Sequence, residues 1–143
     1  MTEIERVRAS VVCVHAARIL CVQLRDPSTG VARLFVPGGA IEPGETAGAA
    51  AVRETLEETG YRVRLRPSEA HVARYPFTWN GVAYAVATHF FAAELAAPET
   101  PPQIVVDVAY NEAVTWLPTG QLASAFRFNI AIMKAVEAVM RLF

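Results

Sequence analysis

Residues Val36–Tyr61 read VPGGAIEPGETAGAAAVRETLEETGY, which places five glutamates and five glycines in twenty-six positions of an otherwise apolar chain. The stretch decides how its surroundings are read. Arg33–Val36 has the composition of a short strand and runs into Pro37-Gly38-Gly39, where regular structure is expected to stop. From Thr46 to Thr59 the chain is alanine-rich, long enough for nearly four turns, and followed by Gly60, the preferred residue just past a helix end. A strand, a glycine-rich loop and a helix therefore follow one another.

Upstream, Arg8–Val14 and Ile19–Leu24 are rich in Val, Ile, Leu and Cys, and the interruption His15-Ala16-Ala17-Arg18 suggests a hairpin. Asp26–Gly30 is a turn by composition. Downstream, Tyr61–Leu65, His71–Tyr75 and the apolar run Val82–Leu95 read as strands, and Pro98, Pro101 and Pro102 mark a loop. Ala113–Leu117 is a further strand, ended by Pro118. From Asn129 onward, Ile132, Val136, Val139 and Phe143 form a helical stripe. The order of strands, helix, strands and helix, without repeats or a linker, predicts an α/β fold: a mixed β-sheet covered by helices on its faces. At 143 residues, one domain over 1–143 is the expectation.

Hydrophobic residues make up 53% of the chain and charged ones 19%, too apolar for disorder. No apolar run reaches the roughly 18 residues of a membrane span, and MTEIERVRAS lacks a signal peptide's apolar segment, so a cytoplasmic protein without a membrane partner is expected. With 13 Lys+Arg against 14 Asp+Glu there is no global positive field, and no nucleic-acid partner is expected. Cys13 and Cys21 lie in apolar, strand-like runs and are expected to be free thiols. Oligomeric state is not fixed by the sequence, and a homodimer stands open.

On a helical wheel, Glu54, Glu57 and Glu58 fall within an arc of roughly 100°. Ala49, Val52 and Leu56 point to the opposite side and are expected to be the buried stripe. Arg53, four residues before Glu57, can pair with one carboxylate, but one arginine does not neutralise three glutamates. A divalent cation would: carboxylates are hard oxygen ligands, and Mg²⁺ completes its shell with water and substrate phosphate oxygens. Gly38, Gly39 and Gly44 let backbone amides approach an anion, so Gly38 and Gly39 are candidate substrate-binding positions. A solvated helix face is the competing account of the glutamates taken alone.

Gly39, five residues, Glu45, seven residues and then Arg53-Glu54-Thr55-Leu56-Glu57-Glu58-Thr59-Gly60-Tyr61 resembles the signature of the Nudix hydrolases, G-x5-E-x7-R-E-U-x-E-E-x-G-U, with U a bulky apolar residue. Its seven fixed positions coincide by chance at a given start about once in 10⁸ to 10⁹ trials. Thr55 departs from the pattern, standing where the family prefers an aliphatic residue.

The resemblance implies a Nudix-like α/β/α sandwich and Mg²⁺-dependent cleavage of a pyrophosphate bond in a nucleoside diphosphate linked to another group, with Mn²⁺ as an alternative ion. A MutT-like nucleotide pyrophosphohydrolase acting on a nucleoside triphosphate is the leading expectation. A nucleotide sugar, a dinucleoside polyphosphate or a non-catalytic nucleotide-sensing role are the alternatives. By position, the resemblance makes Glu54, Glu57 and Glu58 the metal ligands, and Glu45 and Arg53 the residues that hold the loop against the helix. The base is either Glu54 or a glutamate beyond the box, for which Glu112 is the candidate. Asn129 is the candidate for contact with a base edge, with a helix N-cap as its competing role.

Overall fold

A computed structural model describes residues 3–105 and 111–143. Its strands are β1 (Ile4–His15), β2 (Arg18–Arg25), β3 (Ala32–Phe35), β4 (Gly38–Ala40), β5 (Val63–Leu65), β6 (His71–Trp79), β7 (Val82–Leu95) and β8 (Asn111–Pro118). The helices are α1 (Ala47–Thr59), α2 (Leu122–Phe126), entered through a short 3₁₀ turn at Thr119–Gln121, and α3 (Ile130–Met140). The sheet is mixed, as expected. β1 runs parallel to β7 from Ile4↔Tyr84 to Cys13↔Ala93, while β4 pairs antiparallel with β1, and β5 and β6 with β7. β2 continues from β1 through Val14↔Ile19 and carries β3 and β8, both antiparallel.

The middle of β1 is buried on both faces, as its mostly apolar run, interrupted by Ser10 alone, requires. Ala9, Val11 and Cys13 pack with Ala50 and Ala51 of α1, whereas Val12 joins Phe90, Phe126, Val136 and Val139 in the cluster closed by α2 and α3. α1 and α3 thus cover opposite faces, giving the α/β/α sandwich. Cys13 and Cys21 are both free and buried.

Three local features differ from the sequence reading. Regular structure does not stop at Pro37: Gly38–Ala40 forms β4, because glycine alone lets this backbone lie against Ala9 and Ser10. The segment after Pro118, which carries no strong periodicity, turns into the core through Leu122 and Phe126. The buried stripe of α1 is Ala50, Ala51, Thr55 and Thr59, not Ala49, Val52 and Leu56. Thr55 is fully buried and its hydroxyl donates to the Ala51 carbonyl at 2.7 Å, which satisfies the polar atom at the position where an aliphatic residue is usual.

Candidate active site

α1 is fixed at both ends by its own sequence. Thr46 accepts a hydrogen bond from the Ala49 amide at 3.1 Å as N-cap. Gly60 closes the helix at φ 78°, where its amide donates to Leu56 O at 2.9 Å. β4 approaches the acidic face of this helix closely. The Gly38 N–H donates to Glu58 Oε1 at 2.8 Å, and a side chain on Gly39 would overlap the Glu54 carboxyl.

Arg53 organises the carboxylates more extensively than one pairing. Its Nε and Nη2 donate to the two oxygens of Glu45 at 2.7 and 2.9 Å, a bidentate contact between helix and loop. Nη2 also donates to Ala40 O at 3.1 Å, and Nη1 donates to Glu54 at 3.0 Å and to Glu57 at 3.3 Å. These bonds from Arg53, with one from the Glu42 amide, hold the Glu45 carboxyl down at about 2. They also push the Arg53 guanidinium above its ordinary value.

Burial acts the other way on Glu54 and Glu58. It raises Glu54 although Arg53 opposes the shift. It pushes Glu58 up to about 7 despite the Gly38 N–H and the nearby charge of Arg8. Glu58 follows Thr55 by three positions and so borders the buried stripe, which is why it loses water while Glu57 stays exposed.

These carboxylates form one rim of a cavity of about 830 Å³. The opposite wall is aromatic. Phe77 and Trp79, on the same face of β6, stack with centroids 6.3 Å apart and planes at 13°, and Phe35 meets both edge-on at 6.0 and 6.3 Å. Between the two lies the inner face of β1 and β7, with Arg8, Ser10 and Thr88; Thr88 shares a 2.8 Å hydrogen bond with the Tyr75 hydroxyl.

The structure brings Gly38, Gly39, Glu54, Glu57 and Glu58 together on this cavity, with Arg53 and Glu45 behind them. It does not bring Glu112 or Asn129 there. Glu112 lies exposed on β8 and pairs with Arg25 at 2.9 Å. Asn129 is the N-cap of α3, its Oδ1 accepting from the Ile132 amide at 3.2 Å. Sequence reasoning missed Arg8, Thr88 and Phe35 as site residues. The signal available for Arg8 was its alternation with Arg6 on one face of a strand whose later residues carry no charged side chain but His15.

As the side chains stand, no three acidic, His or Cys groups among the described residues converge on one point: Glu54 and Glu57 turn to Arg53, and Glu58 to the Gly38 amide. The donor chemistry nevertheless fits a divalent cation. Three hard carboxylates occupy adjacent positions of one helical face, and burial raises two of them, which a cation would offset by favouring their ionised forms.

A carboxylate-rimmed cavity fed by a strand, a glycine-rich β4 and a capped helix, inside an α/β/α sandwich, defines a Nudix-type site. The NUDIX domain family profile matches residues 5–137, and the chain belongs to that family. A putative 8-oxo-dGTP diphosphatase of Bacillus subtilis is 47% identical over 51 residues, covering 36% of this chain and 32% of that protein. Diphosphoinositol polyphosphate phosphohydrolase 3-beta of Bos taurus is 43% identical over 58 residues, covering 41% of this chain and 35% of that protein. The chain thus aligns with about a third of the length of these curated relatives. Among solved structures, a NUDIX hydrolase from Nitrosomonas europaea superposes with a TM-score of 0.72 at 23% identity, over 96% of this chain and 89% of that one, which extends the likeness in fold to almost the whole molecule.

Proposed function

We propose that this chain is a pyrophosphohydrolase that depends on a divalent cation, Mg²⁺ or Mn²⁺, and cleaves a nucleoside triphosphate, acting in the cytoplasm. The observation that carries the reading is the pairing, in one cavity, of a carboxylate rim at Glu54, Glu57 and Glu58 with an aromatic wall at Phe35, Phe77 and Trp79. Phosphates have their counterpart at the first end through a cation, and a base has a stacking surface at the second. Among the described residues the lining holds two arginines, Arg6 and Arg8, too few cationic groups to match the many phosphates of an inositol polyphosphate.

Glu54, Glu57 and Glu58 would hold the cation, which when bound polarises phosphoryl oxygens and lowers the pKa of a bound water. Glu54 has the position of the base. Burial makes its ionised carboxylate a stronger base, so it takes a proton from the attacking water, while the water oxygen bonds to phosphorus and the diphosphate linkage breaks. Arg53 keeps Glu54 from swinging away, and Glu45 keeps Arg53 in place. Gly38 and Gly39 leave room for a phosphate beside the carboxylates.

The test is a panel of nucleoside triphosphates, nucleotide sugars and dinucleoside polyphosphates, incubated with Mg²⁺ or with chelator and assayed for phosphate products. Wild type should cleave triphosphates in a cation-dependent manner and Glu57→Gln should lose most of that activity. A wild type that binds nucleotide tightly and cleaves nothing overturns the enzyme reading. A fully active Glu57→Gln overturns the ligand assignment.

A further inference from the structure

Arg8 is a half-buried cation on the cavity floor that the scheme above leaves without a role. It stands on the inward face of β1, paired in register with Ala40 of β4 on one side and Thr88 of β7 on the other. Its Nη2 donates to Gly38 O at 3.1 Å, and the amide of that same glycine donates to Glu58 at 2.8 Å, so Gly38 joins Arg8 to the acidic helix. That single bond uses one of the five N–H donors of the guanidinium.

Charges withdrawn from water are ordinarily paired. Among the described residues, however, Arg8 enters no ion pair. Its charge acts on Glu54 and Glu58 without an ion pair, while Arg53 donates a hydrogen bond to Glu54 and the Gly38 amide donates one to Glu58. Arg6, two residues earlier on the same face, differs in being exposed and in lying over the Tyr84 ring at 5.0 Å. Arg8 is therefore a fixed cation whose remaining donors border the cavity. Its place in the sheet sets what they meet: β4 and the carboxylate rim lie on one side, and β6, with its aromatic wall, lies two strands or roughly 10 Å away on the other.

We infer that Arg8 is a phosphate-binding residue of this cavity, gripping the substrate's phosphate chain between the carboxylate rim and the aromatic wall. The inference rests on the reading of the cavity as a nucleotide site. The planar guanidinium suits two phosphoryl oxygens at once, and the bond to Gly38 O holds it in place before the anion arrives.

Calorimetric titration with inorganic pyrophosphate in Mg²⁺ tests it without requiring turnover. Arg8→Gln keeps an amide donor for the Gly38 carbonyl and removes the charge. It should bind pyrophosphate about 10- to 100-fold more weakly than wild type while binding deoxyguanosine, which has no phosphate, equally well. In Arg8→Lys the charge remains without the planar fork, and a drop of about 3- to 10-fold is expected. In turnover, KM for a nucleotide should rise more than kcat falls. Wild-type affinity for pyrophosphate in either folded variant overturns the inference, as does a parallel loss of deoxyguanosine binding. If wild type cleaves no nucleotide yet its pyrophosphate binding depends on Arg8, the enzyme reading falls and this one stands. An active wild type with Arg8-independent pyrophosphate binding decides the reverse.

Discussion

Replacing Gly39 by alanine should disable the site and leave the fold intact, whereas the same change at Gly38 should damage the fold. A Cβ on Gly39 would come to 2.6 Å from both carboxylate oxygens of Glu54. Those atoms are the far end of a flexible side chain, so they can retreat, by roughly 1 Å to regain ordinary contact. A displacement of that size at a reacting group costs about 10²-fold in rate, while the stability change should stay within about 1 kcal/mol. On Gly38 the Cβ would instead meet backbone, Ala9 O at 2.5 Å and Ser10 Cα at 2.8 Å. These atoms belong to β1 and cannot move without parting β4 from its partner, for about 1–3 kcal/mol or more. Urea denaturation gives the stabilities, and nucleotide hydrolysis with calorimetric Mn²⁺ binding reports on the site. Wild-type activity and metal affinity in Gly39→Ala, or a Gly39→Ala more destabilised than Gly38→Ala, would refute the reasoning.

Glu58 should make the chelated protein less stable as pH rises. Burial lifts its carboxyl from 4.5 to about 7, so the native state keeps a proton that the unfolded chain has lost, and the contribution present below 4.5 disappears as pH passes 7. A loss on the order of 2 kcal/mol between about pH 5 and pH 8 is expected in urea titrations, flattened in Glu58→Gln and offset by added divalent cation. Glu45 acts with the opposite sign in a lower window, because its carboxyl is held at about 2 and its contribution is lost only as pH falls below 4.5. Cys13 and Cys21, both pushed up to about 12 by burial, should resist a thiol reagent at mildly alkaline pH until denaturant is added; rapid labelling of the native protein would contradict their burial. Asn129→Ala should cost about 1 kcal/mol as a lost N-cap with KM unchanged. A KM change confined to one base would give Asn129 a substrate contact instead.

The box helix, its stop at Gly60, and the shared face of Glu54, Glu57 and Glu58 were legible from sequence because they depend on spacing within a few turns of one helix. The strand-helix alternation and the two buried thiols followed from apolar runs for the same local reason. The tertiary structure alone decided what depends on segments far apart in the chain. It made a strand of Gly38–Ala40 by laying it on β1, turned Thr55 rather than Leu56 into the core, and set the burial that separates Glu58 from Glu57. It also drew Glu45, Glu54, Glu57 and Ala40 onto one arginine, and put Arg8 beside Gly38 on the cavity floor while leaving Glu112 and Asn129 outside. Periodicity states which residues share a face of their own element. Which neighbour that face meets, and how much water is excluded there, is fixed only when β1, β4, β7 and α1 close on one another.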